Sequence, residues 1–116
     1  MRATLLLTLQ ALGCSALLLS GRVLPRVSDG APVDVGAALA EPAGTTLCVL
    51  GTYPADFNMI EYAQRLNHFL PQLKEKGVSR VMCVVNGSPS SCTKLAEMLD
   101  LSDEIELCAP HPVTVP

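Results

Sequence analysis

The residues of this chain best suited to chemistry are its 5 cysteines, Cys14, Cys48, Cys83, Cys92 and Cys108. A thiol is a nucleophile only as its thiolate, so the question is whether the surrounding fold lowers its pKa. Cys92, in "SPSSCTKLAEMLDL", falls in the first turns of a predicted helix, where free amides and the helix dipole favour the anion. It is the candidate thiol; the plainer alternative is a small helix residue turned toward a neighbouring strand. Cys48 and Cys83 sit in the apolar runs "TTLCVL" and "VMCVV" and read as inert core, and Cys108 stands near a strand end. There is no CxxC pair, and His68 and His111 are not spaced with the cysteines as a zinc site requires. No metal or cofactor is expected. The odd count and scattered spacing argue against a secreted disulfide framework.

The other titratable candidates are weaker. Glu61 has no second carboxylate or histidine near it in sequence and reads as a solvated helix residue. His68, beside Phe69 and Leu70, reads as a partly buried helix histidine. Tyr53 and Tyr62 are expected to pack around a strand–helix junction.

Composition narrows the partners. The net charge of −3, with 8 Lys plus Arg and 3% aromatic residues, excludes nucleic acid, which needs a clustered basic surface and stacking platforms. At 116 residues there is room for one small domain, and not all of the chain belongs to it. Residues 1–26 read as a signal, targeting or anchor segment: Arg2 is followed by an uncharged apolar run, Ala3–Gly21. That run approaches the ~20 residues that cross a bilayer, so membrane contact through residues 3–21 is expected. A membrane system or plastid-type organelle is the expected destination, with secretion or membrane anchoring as alternatives. "ALGC", ending at Cys14, only loosely matches a lipid-attachment box, because the "SALLLS" after it is still apolar.

The elements that would position the thiols follow. Residues 27–44 read as linker and lead-in, with a small edge strand or turn and a short helix near "VGAALAE". Thr45–Tyr53 and Arg80–Val85 are apolar on both faces and predict buried strands, and Glu104–Ala109 predicts a third. Between the first two lies a helix from about Asn58 to Glu75, with Met59, Tyr62, Ala63, Leu66, Phe69, Leu70 and Leu73 inward, Gly77 closing it and Pro71 kinking or breaking it. Between the last two lies a helix with Ser88 as N-cap, Pro89 at its first position, and Leu95, Met98 and Leu99 inward. The β-α-β-α-β order predicts an α/β domain over residues 45–109 with parallel pairing, followed by an irregular tail over 110–116.

Within that domain "YPADFNMIEY" resembles the peroxiredoxin signature, in which Tyr-Pro-x-Asp-Phe leads to Thr-x-x-Cys at a helix start. Pro54, Asp56 and Phe57 match it. Asn58 stands at the threonine position and Glu61 at that of the peroxidatic cysteine. "LPQLKEKGV" and the later "GSP" are also similar to the peroxiredoxin-like (alkyl hydroperoxide reductase/thiol-specific antioxidant) branch of the thioredoxin superfamily. The resemblance implies a partial thioredoxin-like fold, a mostly parallel sheet flanked by helices. It also implies redox ancestry without the nucleophile, since a carboxylate cannot be oxidised as a thiolate is.

Two function classes follow. One is a redox protein using an unusual thiol such as Cys92. The other is a catalytically silent thioredoxin-like module, or a truncated isoform, used for binding or assembly. The small-molecule substrate is unspecified, and self-association or a protein partner is expected to complete the sheet, because an unfinished sheet exposes apolar faces and unpaired edges.

Overall fold

Three apolar runs form the centre. Thr45–Leu50 (β3), Val78–Val84 (β4) and Ile105–Cys108 (β5) make a parallel sheet in the order β3-β4-β5, with Met82 in register with Cys48 on one side and Glu106 on the other. The computed structural model describes residues 21–110. The apolar run of the expected leader, with Cys14, and all of the tail but Pro110 lie outside the described residues. Among the described residues no helix is long and apolar enough to cross a membrane.

The crossovers are Phe57–Glu75 (α2) and Pro89–Leu99 (α3). Asp56 caps α2 by accepting from the Asn58 amide at 2.9 Å, and Ser88 caps α3 by accepting from the Ser91 amide at 3.2 Å. Both helices pack on one sheet face: Met59, Ala63, Leu66 and Leu70 of α2 and Cys92 and Leu95 of α3 meet Val81, Cys83, Ile105 and Leu107. Two crossovers running in the same direction along a sheet must fall on the same side when both are right-handed. Pro71 does not break α2, which runs continuously to Glu75. Its missing N–H leaves one carbonyl without a helical donor, and the helix continues on its remaining bonds.

The other sheet face differs from expectation. Val23–Pro25 (β1) and Pro32–Asp34 (β2) form an antiparallel hairpin, followed by the short helix Val35–Leu39 (α1). Val33 and Ala38 from this segment cover Met82 and Cys108, both fully buried. The lead-in is thus the second layer, not a linker, and its first strand begins before residue 27, inside the segment expected to be leader. Past β1 the chain continues antiparallel to β5: Val27 donates to the Leu107 carbonyl at 2.8 Å and Ala109 to that of Pro25 at 3.2 Å. This shields one sheet edge. The edge at β3 has no strand partner among the described residues.

Charge fastens the hairpin to the sheet. Glu106 on β5 accepts from Arg80 Nε at 2.6 Å and Nη2 at 2.9 Å, and from Arg26 Nη2 at 2.9 Å. Arg26 also reaches Asp29 at 2.9 Å across the hairpin turn. The Glu106 side chain is 16% exposed, so these are charge-assisted bonds only partly screened by water. The Arg80 guanidinium, and then that of Arg26, hold its carboxyl below the ordinary 4.5. A depressed carboxyl stabilises the fold fully above its unfolded pKa and loses that contribution as pH falls through its folded pKa. Glu106→Gln should therefore cost about 1–3 kcal/mol at neutral pH and progressively less as the pH falls below 4.5 toward its depressed folded value. Urea titrations across this pH range check this; an equal deficit throughout would show that packing, not charge, is lost.

A candidate binding cleft at the carboxyl ends of the strands

In a parallel sheet the loops leaving the carboxyl ends of neighbouring strands lie side by side. Here the loop after β3 carries Tyr53-Pro54-Ala55 and the loop after β4 carries Asn86-Gly87. Backbone bonds tie the two: Gly51 donates to the Val84 carbonyl at 2.8 Å and Asn86 to that of Thr52 at 2.7 Å. A β-carbon on Gly87 would lie 2.7 Å from Pro54 Cδ and 2.9 Å from Cγ, so only glycine lets the loops touch. Gly87→Ala must push Pro54 away and should cost about 1–3 kcal/mol, read as a lower thermal midpoint. An unchanged midpoint would mean the contact is slack.

Between the loops lies an open cleft of about 610 Å3, flanked by Ile60 of α2 and by Ser91, Lys94, Leu95 and Met98 of α3. These α3 positions follow the spacing i, i+3, i+4, i+7 and so share one helical stripe. The inward face of α3 is the adjoining stripe, Cys92, Leu95, Ala96 and Leu99, and the two share Leu95. Met98, expected inside, is 66% exposed at the rim, and Tyr53, expected to pack, is 57% exposed beside it. The cleft's walls are chiefly apolar, and Lys94 is its single charged group. Its volume falls in the ~300–1,000 Å3 range of small-molecule sites.

The thiols stand elsewhere. Cys92 is fully buried beneath the cleft floor, and burial pushes its thiol up, opposite to the direction expected from its place at a helix start. Loss of solvation outweighs the helix dipole once the side chain faces the core. Burial likewise pushes Cys83 up to about 12 and Cys108 up to about 11, the latter helped by Glu106, and it raises Cys48. All four are free thiols.

The signature positions do not converge. Pro54 lines the cleft, whereas Asn58 and Glu61 border a separate shallow depression with Tyr62 and Arg65. Glu61 accepts from Arg65 Nη2 at 2.7 Å and Nε at 3.2 Å, one helical turn on, and both side chains are largely in water. His68 is exposed, its ring edge-on to that of Phe69 at 4.8 Å, and Tyr62 and Phe69 are exposed as well. The inward stripe of α2 is narrower than the sequence pattern implies. Among the described residues no group of three or more His, Cys, Asp or Glu is placed to hold a metal ion.

A second cleft of about 480 Å3 lies between the hairpin turn, α3 and β5. Of its charged lining, Arg26, Asp29 and Glu106 are paired with one another, and the remaining groups, Glu97 and Asp103, are carboxylates that enter no ion pair among the described residues. Sequence reasoning misses the first cleft because it is shared among two loops and one helical stripe; the Ser91–Lys94–Leu95–Met98 spacing is the signal that could have found it. No family model, curated protein or solved structure matches this chain.

Proposed function

We propose that this chain is a binding module that performs no thiol chemistry and holds its ligand in the cleft formed by Tyr53, Pro54, Ile60, Asn86, Lys94 and Met98. The carrying observation is the contrast between the thiols and the cleft. Every described thiol has a raised pKa, and Cys83, Cys92 and Cys108 are buried, while the open, mostly apolar cleft contains none of them. The peroxiredoxin-like signature around Pro54 supports descent from a thioredoxin-like frame in which Glu61 has replaced the nucleophile. On this reading the frame persists for binding.

The competing reading is a redox protein of that branch, and the signature itself favours it. Amide-resolved NMR with a panel of small apolar fragments distinguishes the two. Saturable shifts are expected at Tyr53, Asn86 and Met98. Fragments that leave these residues unmoved would remove the binding reading.

A further inference from the structure

Within the proposed binding reading, on which it rests, we infer that the cleft takes a small monocarboxylate with an apolar body, such as a medium-chain or aryl-alkyl acid. The cleft supplies Pro54, Ala55, Ile60, Leu95 and Met98 as apolar wall, and Tyr53, Asn86, Ser91 and Lys94 as polar groups. No aspartate or glutamate lines it, on a chain whose net charge is −3. Lys94, like Arg22 and Lys76, enters none of the ion pairs among the described residues, whereas Arg26, Arg65, Lys74 and Arg80 each hold a carboxylate; of the three, Lys94 alone lines the cleft. A cation at an otherwise uncharged, apolar site favours an anion and disfavours an amine. The polar set is rich in donors: an ammonium, an amide N–H2 and two hydroxyls suit an acceptor with two oxygens. The apolar wall then receives the hydrocarbon body, which a phosphate or sulfate ion lacks.

The occupant is a small acid and not a membrane or a protein segment. The cleft is open to solvent, its volume of about 610 Å3 suits a single small molecule, and its lining offers one cation for one carboxylate.

The test uses the full chain and three probes of equal length: octanoate, octanol and octylamine. Octanoate should bind with saturable shifts at Tyr53, Asn86 and Met98. Octanol should bind about fivefold more weakly and octylamine more weakly still. Lys94→Gln should erase the preference for octanoate over octanol, read as the ratio of the two affinities in the variant against that in the parent. Lys94→Glu should turn the preference toward octylamine. Lys94 is exposed, so neither variant threatens the fold. Equal binding of octanoate and octanol at the cleft would overturn this proposal while leaving the binding module standing. Absence of all three probes from the cleft would overturn both.

Discussion

Glu61→Cys should give the chain a thiol that alkylates roughly 300-fold faster at neutral pH than its native Cys108 and roughly 3,000-fold faster than Cys83. The expectation follows from where position 61 lies. Its side chain is 57% exposed, so a thiol there keeps its hydration and an ordinary pKa near ~8.5. The guanidinium of Arg65, now bonded to the Glu61 carboxylate at 2.7 Å, would favour the thiolate further. The native thiols are pushed to about 11 at Cys108 and about 12 at Cys83. Each unit is tenfold in thiolate, which sets the expected ratio. With Asn58→Thr added, the signature is restored, and hydrogen peroxide should oxidise the new thiol to the sulfenic acid, one equivalent per chain. Iodoacetamide labelling resolved by mass spectrometry reads the first effect. If the peptide carrying the new thiol labels no faster than the Cys83 and Cys108 peptides, position 61 is not the open, cation-flanked place described.

The second large effect concerns β3. Residues 21–116 should self-associate through this strand, pairing edge to edge with a second copy. "TTLCVL" carries no charge and no proline, the usual guards on a free edge. The other free strand, β2, is only 3 residues long and contains both Pro32 and Asp34. Leu50, at the end of β3, is 70% exposed, so Leu50→Lys can charge the edge without cost to the core. Sedimentation should show dimers or larger species for the parent and a shift of at least about tenfold toward monomer for the variant. Apolar surface is the weaker part of the drive. The hairpin and α1 cover the face that the sequence had suggested was bare, and slow amide exchange through Cys83–Val85 is expected in both proteins. A parent that stays monomeric throughout would show that the edge is otherwise protected.

How legible was this in the sequence? The parallel core was, because its signals are local and redundant. Both-face apolar runs mark β3 and β4, Ser88 caps α3, and Gly77, at φ 98°, ends α2 where only glycine is at ease. The hairpin was not. Its strands are 3 residues each, contain Pro25 and Pro32, and are held by pairing with β5 and by the Arg26–Glu106 contact 80 residues away. No window of sequence contains that partner. Helix faces were read too wide: Tyr62, Phe69 and Met98 fit the apolar spacing, yet the sheet is only wide enough to cover the central stripe. For the site, the sequence left two readings of Cys92, an activated thiol at a helix start or a small residue turned toward the neighbouring strand, and rotation about the helix puts the side chain in the core as in the second. The residue faces the core, and desolvation governs its thiol.

The burial of Cys92 separates a binding module from a redox protein, and it can be measured in the native chain. Labelling the folded protein at neutral pH with an excess of iodoacetamide, and following each cysteine peptide by mass spectrometry, reads Cys48, Cys83, Cys92 and Cys108 separately. All four should label more slowly than the same peptides in urea, with Cys83, Cys92 and Cys108 slowest and Cys48, only half-buried on the β3 edge, the least protected. A native Cys92 that labels faster than its unfolded peptide would contradict the binding reading, because a fast thiol at the start of α3 would be the working group of a redox protein.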